Sequence, residues 1–133
     1  MLTMARLQQW LDAYVEAWRL NQPEAIGRLF SDDAVYAFDP FDEGPVRGRD
    51  AIVSAWLEKP DDPESWECRY TALAVMGDLG IGRGWTRYRG SGEQPEREYR
   101  NLFVMRFDDQ DRCREFTEWY LQRKRSSAST TAN

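Results

Sequence analysis

Histidine is absent from this chain, and cysteine occurs only twice. The first absence removes imidazole metal ligands, histidine-based triads and Cys–His pairs from consideration. Cys68 and Cys113 lie outside any CxxC pair, so no metal site is predicted and they read as reduced thiols of a cytoplasmic protein. No apolar run approaches the roughly 18 residues of a membrane span. The opening MLTMARLQQWLDAYVEAW lacks a continuous apolar stretch and a small-residue cleavage site, so no signal peptide is expected. Phosphate-cradling glycine patterns are missing as well, so the chemistry is expected to need no cofactor. Acidic residues outnumber basic ones 23 to 18, for a net charge of −5. That sign disfavours a phosphate backbone, and neither nucleic acid nor membrane is an expected partner.

What the chain has instead is rings: six Trp, six Tyr and six Phe among 133 residues. Each can bury on the order of 150–250 Å², ample for the core or the pocket of one domain. Met4, Leu7, Leu11, Tyr14, Val15 and Trp18 recur at helical spacing, with Thr3 placed to cap the start. Pro23, preceded by Asn21 and Gln22, predicts a second helix bearing Ala25, Ile26, Leu29 and Phe30 and ending at Ser31-Asp32-Asp33. Residues 34–41 read as a strand stopped by Pro40, and Asp50 as the cap of a third helix with Ile52, Val53, Trp56 and Leu57. From Ser65 onward the pattern is a meander of four strands: 66–76, a Gly77-Asp78 turn, 79–88, 99–107 and 113–122. Helices segregated from an antiparallel sheet give an α+β domain over 1–122, and the polar segment 123–133 reads as a disordered tail.

Three segments of the chain, 13–56, 101–109 (NLFVMRFDD) and 113–120 (CREFTEWY), resemble the NTF2-like superfamily in its SnoaL-like and ketosteroid-isomerase-like branch. The resemblance implies a cone: a curved, mostly antiparallel sheet wrapped around a long N-terminal helix, with two further helices and an apolar pocket. It also implies a homodimer through the sheet. It does not settle the activity, since folds of this kind host many chemistries and non-catalytic binders. Against the isomerase pattern, Asp39-Pro40 falls where the general base ends the first strand. Tyr14, twelve residues before Ile26, has the spacing of the oxyanion-hole tyrosine. Phe103 stands where the isomerases carry the second donor, an Asp, which argues against steroid isomerisation. Against the superfamily's epoxide hydrolases, Glu118 occupies the position of a closing-strand Asp and Arg83 or Arg87 stands near the Arg. No carboxylate two residues along that strand completes their set.

Strand alternation extends the candidate pocket. Tyr99, Asn101 and Phe103 share one face, Phe116, Glu118 and Tyr120 another, and Trp85 shares a face with Arg83 and Arg87. The predicted catalytic residues are Asp39, Tyr14 and Glu118. The predicted ligand contacts are Trp18, Trp56, Trp85, Arg87, Tyr99, Asn101, Phe103, Phe116 and Tyr120. Each has a plainer reading. Glu118 is either a proton shuttle held in an apolar cavity or half of an ion pair with Arg87 or Arg83. Asp39 is a base or a turn former, Tyr14 a donor or core, and Asn101 a ligand contact or a partner for the sheet backbone. Glu115, Thr117 and Trp119 fall on the opposite face, beside Leu102 and Val104, and suit the dimer interface. Two functions remain open. One is a cofactor-free acid/base enzyme, an isomerase, cyclase, dehydratase or hydrolase, acting on a small apolar carbonyl compound. The other is a non-catalytic ligand-binding or dimerisation module.

Overall fold

Thr3 starts the first helix, its hydroxyl accepting the Arg6 N–H at 3.1 Å. A computed structural model describes residues 1–90 and 92–124 of the chain. Helix α1 (Met4–Leu20) buries Leu7, Trp10, Leu11, Tyr14 and Ala17 along one stripe. Asn21 closes this helix, and Gln22, the other residue expected before Pro23, is the cap of the second. The Asn21 φ of 53° places it in the left-handed region, where its N–H reaches the Ala17 carbonyl, a conformation Asn tolerates better than most residues. Helix α2 (Pro23–Gly27) is a single turn with proline at its start.

Leu29 and Phe30 do not continue that helix. Phe30 opens strand β1 (Phe30–Ala37), so the acidic Ser31-Asp32-Asp33 lies inside a strand rather than ending a helix. The strand begins four residues earlier than the 34–41 reading and stops at Ala37. An irregularity between Phe30 and Val35 leaves Asp32 and Asp33 exposed, which is how a strand with a buried Phe30 and Ala34 carries two carboxylates. Strand β2 (Val46–Arg47) leads into helix α3 (Arg49–Glu58), whose cap is Gly48 at φ 92°. Asp50, expected as that cap, sits in the first helical turn, where its carboxylate meets the positive end of the helix.

A short 3-10 turn (Pro63–Ser65) precedes β3 (Trp66–Met76), β4 (Leu79–Tyr88), β5 (Arg97–Phe107) and β6 (Cys113–Gln122). These four form the predicted meander, and β1 joins β6 in parallel. The sheet order is β2-β1-β6-β5-β4-β3. Residues 125–133 of the predicted tail lie outside the described residues. No helix among the described residues is long and apolar enough to cross a membrane.

Two devices seat α1 on the sheet. A Cβ at Gly80 would come within 3.1 Å of Leu2, Leu7 and Phe107, and one at Gly82 within 3.1 Å of Leu11, so these glycines make room for the helix. At the edge strand β3, the Gln8 side chain donates to the Tyr70 carbonyl at 3.1 Å and accepts from Ala72 N–H at 2.8 Å. A helix amide thus stands in for a neighbouring strand and blunts the edge.

The glycine row also fixes which face of β4 looks inward. Gly82 pairs with Phe103 and Thr86 with Tyr99, so Thr86 and Tyr88 share the inner face. Trp85 and Arg87, predicted for the pocket, therefore point to the outer face. There Arg87 pairs with Glu67 and Glu96 and packs on the Trp85 ring at 5.6 Å.

Candidate functional site

The inner face of β5 and β6 carries Asn101 and Phe103 opposite Tyr120 and Glu118. Toward one end of this face Phe103, Met105 and Phe116 are buried beneath α1. Tyr14 stacks on Phe116 at 5.7 Å and on Trp10 at 5.5 Å, and meets Phe103 at 5.8 Å. Toward the other end the sheet and helices part around a cavity of about 450 Å³, a size typical of small-ligand sites. Tyr14, Trp18, Trp56, Tyr99, Asn101, Glu118 and Tyr120, all predicted, line it.

Phe103 and Phe116, also predicted as ligand contacts, are core: each is 1% exposed and absent from the lining. They form the floor beneath Tyr14 rather than the wall. Asp39 is likewise outside the lining. Its Oδ1 accepts the Phe41 N–H at 2.7 Å, a tight turn that stops β1 and turns the carboxylate away. The side chain that does enter from β1 is Tyr36, which sequence alternation from Ala34 marks as inward but which the Asp-Pro pattern overshadowed.

Among the described residues no cation pairs with Glu118. Arg83 is exposed and Arg87 is engaged on the outer face, so neither forms the ion pair considered above. Among the described residues its one hydrogen bond is from Asn101 Nδ2 to Oε2 at 2.6 Å. Asn101 is itself held: its Oδ1 accepts from Thr86 Oγ1 at 2.8 Å. With its single proton spent there, Thr86 must accept from the Tyr70 hydroxyl at 2.5 Å. The chain Tyr70–Thr86–Asn101–Glu118 therefore points all its donors toward the carboxylate. Oε2 is committed to Asn101, which leaves Oε1 as the oxygen able to exchange a proton with the cavity. Burial pushes the Glu118 carboxyl up from 4.5 to about 7, with the Asn101 hydrogen bond pulling partly the other way.

Facing the same space are two phenols, Tyr14 and Tyr36, with hydroxyls 3.3 Å apart. Burial raises both far above the usual tyrosine value, and the Glu118 charge raises both further. Both are therefore neutral donors at physiological pH. One phenol proton is used within the pair, and the other is free to meet a ligand oxygen. On another side of the lining, Trp18 stacks on the buried Trp66 with centroids 3.6 Å apart and donates its indole N–H to Asp61 Oδ2 at 3.2 Å. Sequence reading missed Tyr36, Tyr70, Thr86, Tyr88, Lys59, Asp61 and Arg97. The glycine row of β4 held the signal for Thr86 and Tyr88. Among the described residues no cluster of three metal-ligating side chains is formed.

A model of the SnoaL-like domain family matches residues 11–116. No curated protein matches the chain. A crystal structure described as an NTF-2 like protein of unknown function from Burkholderia xenovorans LB400 is similar over 97% of this chain and 97% of its own. The two share 18% identity and superpose with a TM-score of 0.69. At that identity the likeness speaks for the fold, the α+β cone of NTF2-like proteins, and leaves the site to its own residues.

Proposed function

We propose that this chain, which belongs to the SnoaL-like domain family, binds a small apolar carbonyl compound and moves a proton next to the carbonyl without a cofactor. The observation that carries this reading is Glu118: one oxygen fixed by Asn101, the other left to an aromatic cavity, and, among the described residues, no cation paired with the carboxylate to hold it ionised. In its ionised form Oε1 takes the proton from the carbon beside the carbonyl. The C–H electron pair moves into the C–C bond and the carbonyl oxygen becomes an enolate oxygen. The free phenol proton of the Tyr14–Tyr36 pair donates to that oxygen, supplying in part the donor lost where Phe103 replaces an acid. The protonated Glu118 then returns its proton to the same or another carbon. A carboxyl near 7 holds both protonation states at neutral pH, which suits both steps.

The test is α-proton exchange of a panel of cyclic ketones and β,γ-unsaturated ketones in D2O, followed by NMR. Wild type should exchange at least one of them well above the buffer rate. Tyr14→Phe should lower that rate by about 10²-fold, the usual loss of one oxyanion donor. If no compound exchanges faster than in buffer, the proton-transfer reading falls and the chain is a binding module.

The outer sheet face supports a homodimer in the same proposal. Trp119 is 49% and Leu121 77% exposed there, beside the partly covered Leu102, Val104 and Thr117. Paired sheets would bury them. Sedimentation at micromolar concentration should give twice the chain mass, and Trp119→Glu should give the monomer; a monomeric wild type removes this part of the proposal.

A further inference from the structure

Two side chains at the cavity take no part in the chemistry above. Lys59 follows α3 and Arg97 opens β5, and both line the cavity. Among the described residues neither forms an ion pair. Arg97 is not loose in solvent: its guanidinium lies 4.6 Å from the centre of the Tyr88 ring, itself a lining residue, and that contact keeps the charge beside the cavity. Asp61 shares the lining with them, but its Oδ2 accepts the Trp18 indole N–H. The other lining carboxyl is Glu118, held farther along the strand by Asn101.

We infer that the ligand of this pocket carries a carboxylate at one end, clasped at the mouth by Lys59 and Arg97, with its apolar body running inward to Glu118. The inference rests on the ligand-pocket reading of the preceding subsection and adds the chemical class. Three observations give it direction. The overall charge is −5, so attraction for an anion has to come from these local cations rather than from the protein's general field. Glu118 repels a second carboxylate at the inner end, which fixes the orientation. Arg97 and Asn101 are four residues apart on one strand face, ~14 Å at ~3.4 Å per residue. An extended aryl-alkanoate spans that length, and the intervening Tyr88, Tyr99 and Tyr120 offer rings to its body.

The experiment compares 6-phenylhexanoate with 6-phenylhexanamide, equal in shape and different in charge. Calorimetry measures both on wild type and on a Lys59→Met/Arg97→Met double variant. Both substitutions fall on exposed side chains. Wild type should bind the acid at least tenfold more tightly than the amide. The preference should shrink with added salt, since exposed charges are screened within about 10 Å at 0.1 M. In the double variant it should fall below about threefold while the amide binds as before. Equal binding of acid and amide to wild type overturns the inference and leaves the pocket reading in place. A preference that survives in the double variant also overturns it. So does a double variant that loses the amide too, because the cations then support the pocket rather than hold an end group. Binding of neither probe to wild type removes the pocket reading and this inference with it.

Discussion

Gly84→Ala is expected to cost more than about 4 kcal/mol, a large part of the 5–15 kcal/mol by which a domain of this kind is stable. Gly84 lies opposite Tyr70 in the β3–β4 pair. A Cβ there would overlap the Arg69 carbonyl oxygen and sit 2.6 Å from Tyr70 Cδ1. The first obstacle is backbone, so no rotamer change relieves it. The strands must part, and parting them moves the tyrosine whose hydroxyl begins the chain to Glu118. Gly82→Ala is a milder case. Its Cβ meets Leu11 methyl carbons at 3.1 and 3.2 Å, flexible ends that can give, and a cost of about 1–3 kcal/mol is expected. Gly44→Ala meets nothing within 4 Å and should be neutral within about 0.5 kcal/mol. Urea denaturation midpoints of the three variants should rank in that order. A Gly84→Ala protein as stable as wild type would mean that the β3–β4 pairing is looser than described.

The same glycines mark the boundary between what sequence reasoning reached and what it did not. The bounds of β3, β4 and β6 and the hairpin at Gly77-Asp78 followed from alternation and turn chemistry, which are local, while β5 starts two residues before its expected start. The phase of β4 was not legible in that way. Its side chains read Arg83, Trp85, Arg87 on one face and Gly82, Gly84, Thr86, Tyr88 on the other, and the ring and charges drew attention to the first set. The signal was the glycine row itself: a bare face is the one a helix can approach, and α1 packs on it through Leu7 and Leu11. Phe103 and Phe116 were placed on the correct face but at the wrong depth, because alternation gives a side and not a distance from the helix crossing above. The start of β1 was misplaced for a related reason. Its partner along that stretch is β6, 80 or more residues away in sequence, and no local signal shows that Asp32 and Asp33 can sit in an irregular stretch of strand. For Asp39 two roles share one dipeptide, and the structure shows the turn former: its Oδ1 accepts the Phe41 N–H and the residue lies outside the cavity lining.

Glu118→Gln should raise stability at pH 8 by up to about 3 kcal/mol and leave it unchanged at pH 4. The unfolded chain loses the Glu118 proton near 4.5, whereas the folded protein keeps it to about 7. Between those values the folded state binds more protons than the unfolded one, so wild-type stability falls as pH rises. The difference of about 2.5 units, at 1.36 kcal/mol each, sets the size of the loss above pH 7. Glutamine has nothing to ionise, and its side-chain carbonyl can still accept from Asn101 Nδ2. Denaturation of both proteins from pH 4 to pH 8 should show the curves together at the acid end and separating through pH 5–7. The same substitution should lower proton exchange on a ketone substrate by about 10²–10⁴-fold, the range of general acid/base catalysis. The two effects have opposite signs, and that opposition is informative. A carboxylate kept only for structure would lose stability on replacement, whereas one kept for chemistry burdens the fold and is missed only when a substrate is present. If the variant gains nothing at pH 8, the cavity hydrates Glu118 well enough to keep its ordinary acidity, and a proton shuttle at that residue loses its physical basis.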